Sequence, residues 1–87
     1  MTYLISPTLN INGSSAEDLI APRREALDHL MDAIEALRKV APNGRDYPDG
    51  FDALTRDRDI HFTRLESLKA LREEIFAEAL AIQSREA

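Results

Sequence analysis

The sequence has no cysteine and no tryptophan, and its 87 residues include only three glycines and four prolines. The absence of cysteine excludes disulfide bonds and thiolate metal sites, and it is compatible with a reducing compartment. Aromatic residues make up 6% of the chain, so any core must consist mainly of leucine, isoleucine and alanine. No apolar run approaches the roughly 20 residues that span a bilayer. The first residues lack a basic segment and an apolar run, so we expect no signal peptide.

The chain carries 16 acidic and 11 basic residues, which gives a formal net charge of −5 at pH 7. The two signs are interleaved, and no cluster of lysine and arginine is present that would attract phosphate backbones. We therefore expect no nucleic-acid partner and no membrane partner. A chain of this length forms one domain at most and buries only about 60–65% of its unfolded surface.

Two prolines and two glycines fall within residues 41–50, whose sequence is APNGRDYPDG. This density of helix breakers cannot lie inside a helix. Both flanks carry apolar residues at helical spacing, so the segment predicts the turn of an antiparallel helical hairpin, at residues 42–50. Asn43 and Gly44 tolerate positive φ, and Tyr47 is placed to fold back over the helix ends, where its hydroxyl would find a partner.

The first helix is predicted over about residues 15–41. Ser14-Ser15-Ala16-Glu17 indicates its start, because a serine followed three residues later by glutamate is a capping box. Pro42 ends it, since the residue before a proline avoids the α region. Pro22 removes one hydrogen bond, so we expect a kink near residues 18–22 or a short separate turn before a helix from Pro22. The apolar stripe recurs at spacings of three and four, at Leu27, Leu30, Ile34, Leu37 and Ala41.

The second helix is predicted over about residues 51–84. Two positions of its apolar seam are arginine, Arg58 and Arg72. Arg58 would need a carboxylate across the hairpin, such as Asp28 or Asp32, or an edge position with its charged head in water. The remaining seam consists of Phe51, Leu54, His61, Leu65, Leu68, Ile75, Ala79 and Ile82.

Residues 1–13 include the alternating apolar and polar residues 9–12, a pattern typical of an extended segment. We expect an extended N-terminal arm that lies across the helices, or that pairs with another copy or another protein by strand addition. The predicted fold class is therefore all-α, an antiparallel two-helix hairpin over residues 14–87 with this arm, assembling into a helical bundle.

Both apolar stripes are wider than one contact between two helices can cover. Large exposed apolar patches on soluble chains usually mark interfaces, so we expect cover from a second copy or from a different protein. The residues predicted to make these contacts are Leu4, Ile5, Leu9 and Ile11 in the arm and Phe62, Phe76 and Leu80 in the second helix.

Histidine offers the few candidates for chemistry. His61 lies four residues after Asp57, which could orient it as a base, but no nucleophile accompanies the pair, and a core or interface histidine is the better interpretation. His29, with Glu25 and Asp32, could contact a metal ion, but a catalytic zinc normally needs three protein ligands with supporting groups. No phosphate loop, nucleophile elbow or metal motif is present. We therefore expect no enzymatic activity and no catalytic, cofactor-binding or metal-binding residues.

Three short motifs resemble those of small helical proteins encoded by tailed phages and prophages. They are Leu9-Asn10-Ile11-Asn12-Gly13-Ser14-Ser15, Asn43-Gly44-Arg45-Asp46-Tyr47 and His61-x-x-Arg64. Those proteins have no settled activity to transfer, and Pro48 and Pro22 depart from their pattern. The resemblance implies a phage origin, and hence either a virion or assembly component or an accessory factor that acts on the host.

The predicted function is a non-enzymatic protein–protein interaction or assembly module, a structural or assembly component of a phage that buries its apolar flanks against itself or another protein. The alternative is a small acidic accessory protein that binds and inhibits a host protein. In that alternative Arg45 and Tyr47, at the tip of the turn, are the contact residues, because arginine and tyrosine are favoured binding anchors. The expected location is the virion or the host cytoplasm.

Overall fold

A computed structural model describes residues 4–7, 9, 13 and 15–86 of the chain. Helix α1 comprises Ala16–Arg38 and helix α2 comprises Phe51–Glu86, with one 3₁₀ turn at Gly44–Asp46 between them. The two helices pack against each other along the hairpin, and the described residues contain no strand. The predicted all-α hairpin is therefore confirmed.

The capping box of α1 lies one residue later than predicted. Ser15 is the N-cap: its hydroxyl oxygen accepts a hydrogen bond from the Asp18 amide at 3.1 Å, and its own amide donates to the Asp18 carboxylate at 3.3 Å. Glu17 lies instead on the exposed surface, 3.4 Å from Arg24. The burial of Ala16 explains this register, because a helix that starts there directs its first side chain into the core.

Helix α1 continues through Pro22 as one element, so the alternative of a separate turn before residue 22 is wrong. Proline has no amide to donate to the Asp18 carbonyl, and both residues are exposed, so water can solvate that carbonyl. The helix ends at Arg38, three residues before the predicted end. The next three amides, of residues 39–41, bond to carbonyls three positions back, a tightening that is common at helix ends.

Helix α2 begins at Phe51 and continues two residues beyond the predicted end. Its 36 residues, against 23 in α1, extend for about 54 Å at 1.5 Å per residue. The chain measures 64 × 24 × 17 Å and has a radius of gyration of 18.6 Å, whereas a compact domain of this length would have one of about 12 Å. The molecule is thus two helices wide and one helix thick.

The core consists of a few buried side chains spread along this rod. Near the open end of the hairpin Ala16, Ile20 and Ile82 form a cluster, against which Leu9 and Leu19 pack. Ile34 and Leu54 are the other buried apolar residues described. Phe51, which the sequence placed in the seam, is exposed, because α2 begins at this residue and α1 ends before reaching it.

The two seam arginines have different environments. Arg58 is exposed, and its Nε lies 3.5 Å from the Pro42 carbonyl oxygen, so it occupies the predicted edge position and not a carboxylate pair. Arg72 is half-buried, and its Nε has no hydrogen-bond partner among the described residues.

Candidate functional site

The N-terminal arm is fastened to its own hairpin by one carboxylate. Glu78, the only buried charged residue described, accepts a hydrogen bond from the Ile5 amide at 2.7 Å and one from Arg23 Nε at 2.8 Å. Arg23 also donates to the Leu19 carbonyl at 2.8 Å. Glu78 therefore joins three segments of the chain, namely the arm, α1 and α2.

Burial raises the pKa of Glu78, but the hydrogen bonds from the Ile5 amide and from Arg23, together with the charge of Arg23, outweigh it. The pKa of Glu78 is therefore lower than its usual value. No role was predicted for Glu78 from the sequence, because it lies close to Glu73 and Glu74 in what resembles an acidic surface stretch. A glutamate among apolar residues, four before the buried Ile82, was the available signal.

Two further contacts keep the described part of the arm on its own chain. Arg85 Nη1 donates to the Pro7 carbonyl at 2.6 Å, and Leu9 packs against the buried cluster. Leu9, predicted to contact a partner, is thus partly buried against the core of its own chain. Leu4 and Ile5 remain exposed, and Ile11 lies outside the described residues.

The turn is organised by two side-chain hydrogen bonds. The Asn43 side chain accepts from the Arg45 amide at 3.0 Å, and the Tyr47 hydroxyl donates to Asp57 Oδ2 at 2.6 Å. Positive φ is not used at any described residue, so the conformational freedom expected of Asn43 and Gly44 is not needed. The return of Tyr47 to the helix ends, with a partner for its hydroxyl, is as predicted.

The sequence suggested His61 as the partner of Asp57. In the structure Asp57 accepts its hydrogen bond from Tyr47 instead. Its other carboxylate oxygen accepts from Arg56 Nε at 3.2 Å. The hydrogen bonds from Tyr47 and Arg56 lower the pKa of Asp57, and the bond to Asp57 in turn raises the pKa of Tyr47 above its usual value. The idea that His61 and Asp57 form an oriented acid–base pair is therefore wrong.

A cavity of about 300 Å³, which we call the turn pocket, lies between the turn and the two helix ends. It brings Tyr47 together with His61 and Arg64, residues of two motifs that are far apart in the sequence. Arg45, the other residue predicted at the tip, is exposed and does not line it. The full lining is Leu37, Val40, Pro42, Tyr47, Asp57, Ile60, His61 and Arg64.

A row of exposed apolar side chains, which we call the outer stripe, consists of Phe62, Phe76 and Leu80 on α2. These side chains are 63%, 50% and 47% exposed. Phe62 and Leu80 are 18 residues apart, which is about five helical turns, and Phe76 lies one turn before Leu80, so all three project from one side of the helix. All three were predicted from the sequence to need cover, and the hairpin does not provide it.

His29 is exposed and lies 3.6 Å from Glu25. Across the described ranges, histidine and carboxylate side chains do not gather in groups of three that could hold a metal ion. Within the same part of the chain, neither helix contains a stretch that is both long enough and apolar enough to cross a membrane.

Comparison with protein-family models, with curated proteins and with solved structures finds no match to this chain.

Proposed function

We propose that this chain is a non-enzymatic protein–protein interaction module, and that a second copy of the chain covers its outer stripe to form a four-helix bundle. The observation that carries this proposal is the exposure of Phe62, Phe76 and Leu80 along one side of α2. Large apolar side chains left exposed on one side of a helix are candidates for an interface, since exposed apolar patches on soluble chains usually mark one.

The dimensions of the molecule support the need for a partner. A helix with its side chains is about 10–12 Å across, and the chain is only 17 Å thick. A pair of helices therefore has a core on one side of each helix and water on the other. Packing two hairpins together encloses a second apolar layer, as in four-helix bundles.

The spacing of the outer stripe favours an antiparallel arrangement of the two copies. Phe62 and Phe76 each lie seven residues from Lys69, one before it and one after it. A twofold axis near Lys69 would place Phe62 of each copy opposite Phe76 of the other. The same patch then contacts itself, as the symmetry of such dimers requires.

The charges around Lys69 suit the same arrangement. Lys69 lies 3.4 Å from Glu66 within its own chain, and Glu73 follows one turn later. At the proposed axis two lysines would meet four glutamates from the two copies, so each lysine would gain carboxylates from the other chain. Replacing Lys69 by glutamate would bring six like charges together, and we expect this substitution to prevent assembly.

The chain offers a matched pair of variants to test the role of the outer stripe. Leu80 and Leu71 are 47% and 44% exposed, but they lie nine residues apart, which places them on opposite sides of α2. Light scattering on the wild-type chain should give twice the 9.8 kDa mass of one chain. The Leu80→Ser chain should have the mass of a monomer, and the Leu71→Ser chain should still have the mass of a dimer. A wild-type monomer at micromolar concentration would refute the proposal.

Introduced cysteines test the orientation, because the chain has none of its own. In the antiparallel dimer, mixing Phe62→Cys with Phe76→Cys chains should give a disulfide between unlike chains, since such bonds need Cα atoms within about 7 Å. Disulfides between two Phe62→Cys chains would show a parallel arrangement instead.

The phage resemblance extends the proposal to a virion or assembly component. Mass spectrometry of purified particles tests this, because a structural component is incorporated and an accessory factor is not. Absence from the particles, together with recovery of one stoichiometric host protein in a pull-down, would favour the inhibitor alternative.

A further inference from the structure

We propose that the turn pocket binds a carboxylate joined to a short apolar group. The pocket combines polar side chains from the turn and α2 with apolar side chains that come mainly from the end of α1. Its volume of about 300 Å³ lies at the lower end of the range for ligand sites. The inference does not depend on the outer stripe or on self-association.

The pocket also contains a carboxylate, Asp57, whose negative charge is offset by Arg56 and is acted on by Arg64. Both oxygens of Asp57 already accept hydrogen bonds, one from Tyr47 and one from Arg56. His61 and Arg64 also line the pocket, and neither makes a hydrogen bond or an ion pair with any described residue. They are three positions apart, so they project from the same side of α2. A ligand with acceptor oxygens and negative charge matches these donors.

Leu37, Val40 and Pro42 approach the pocket from the end of α1, and Ile60 approaches from α2. Val40 and Ile60 are exposed, so an apolar group placed against them would remove apolar surface from water. An anion without an apolar part, such as phosphate, would not gain this contribution. The donors and the apolar side chains together therefore favour a carboxylate that carries a short aliphatic or aromatic group.

Two sources supply this chemistry, a free short-chain carboxylic acid and the last residue of a peptide that ends in an apolar side chain. Both present a carboxylate next to an apolar group. The first probe is 4-methylpentanoate, with 4-methylpentanamide as its uncharged counterpart. The second is the tripeptide Gly-Gly-Leu, with a free or an amidated carboxyl end. Inorganic phosphate serves as the anion without an apolar part.

Amide NMR shifts of the full chain would measure binding. We expect 4-methylpentanoate or the free tripeptide to shift amides around Tyr47 and His61 at millimolar or lower concentration, and the uncharged counterparts to bind much more weakly. Arg64→Gln should weaken binding by about tenfold or more, as loss of one charge-assisted hydrogen bond predicts. Arg24→Gln removes the same charge from an exposed position outside the pocket and should leave binding unchanged.

The binding results distinguish a free carboxylic acid from a peptide end as the ligand. Binding of the free acid supports a small-molecule site, and binding of the tripeptide alone supports recognition of a peptide end. Phosphate binding as strong as that of 4-methylpentanoate would overturn the inference, and so would the absence of shifts with both carboxylates. Circular dichroism of Arg64→Gln should match that of the wild type, so that a loss of binding is not a loss of folding.

Discussion

Replacing Glu78 by alanine should release the N-terminal arm and destabilise the hairpin. The carboxylate is buried, at 7% residue exposure, and it accepts hydrogen bonds from a backbone amide of the arm and from a guanidinium of α1. Alanine removes both acceptors at once. Among the described residues, Arg23 then retains only its bond to the Leu19 carbonyl, and the Ile5 amide has to find water.

The structure sets the size of the expected loss. Each hydrogen bond to a charged group contributes about 1.5–3 kcal/mol, and removing one member of a buried ion pair costs about 3–5 kcal/mol. The Arg23 and Glu78 side chains retain 18% and 10% of their exposure, so water screens part of the interaction and can rehydrate the arginine. We therefore expect a loss of about 2–4 kcal/mol. That is a large share of the total stability, since chains of this length have about 4–13 kcal/mol.

The free energy of unfolding would be measured by urea titration with circular dichroism. All variants must be compared at one protein concentration, because self-association would add to the apparent stability. Glu74→Ala is the matched control: Glu74 lies one turn earlier on α2 and makes no hydrogen bond or ion pair with a described residue. Hydrogen exchange at the Ile5 amide reports directly on the arm.

A Glu78→Ala chain whose free energy of unfolding lies within about 0.5 kcal/mol of the wild type would contradict this role of Glu78, because that is the range usual for neutral surface substitutions. A slow, unchanged exchange rate at Ile5 would contradict it separately, because the amide would then have another partner. Glu78→Gln gives an intermediate test. It retains an acceptor for the Ile5 amide but loses the charge, so its loss should be smaller than that of alanine.

Three further outcomes are expected. The pKa of Glu78 is below its usual value of 4.5. The stability that Glu78 contributes should therefore be complete above pH 4.5 and lost as the pH falls through the folded pKa. Urea titrations at decreasing pH should show this dependence, and Glu78→Gln should reduce it. The hydrogen bond to Asp57 raises the pKa of Tyr47, so tyrosinate absorbance should show that Asp57→Asn lowers this pKa. Ser15→Ala should lower the free energy of unfolding, measured by urea titration, by about 1 kcal/mol through loss of the N-cap. A larger loss for Ser14→Ala would show that Ser14 is the N-cap, as the sequence suggested.

The hairpin was predictable because its determinants are local. The breakers in residues 41–50 exclude a helix, and the apolar spacing on both sides requires one. The start of α2 was correct for the same reason, since Gly50 immediately precedes it. The capping box was displaced by one residue because Ser14 and Ser15 both satisfy the local pattern. Only the burial of Ala16, which is a tertiary effect, distinguishes them.

The role of Glu78 could not be predicted because its partners are remote. The Ile5 amide is 73 positions away and Arg23 is 55 positions away. Almost every residue has a backbone amide, so a sequence does not show which amide a buried carboxylate will bind. The same reasoning explains Asp57. His61, at helical spacing, was the visible neighbour, whereas Tyr47 reaches Asp57 only through the path of the turn.

The attachment of the arm also decides which surface is available for assembly. The sequence left open whether the arm pairs within the chain or with a neighbour. Leu9 packs against the internal core and the Ile5 amide is bound to Glu78, so the use of these groups by another protein would first require breaking the internal contacts. Covering Phe62, Phe76 and Leu80 requires no such rearrangement, because they are already exposed. If the arm were the main contact between copies, Glu78→Ala would free the arm and strengthen assembly. If the outer stripe is the main contact, Leu80→Ser must weaken assembly.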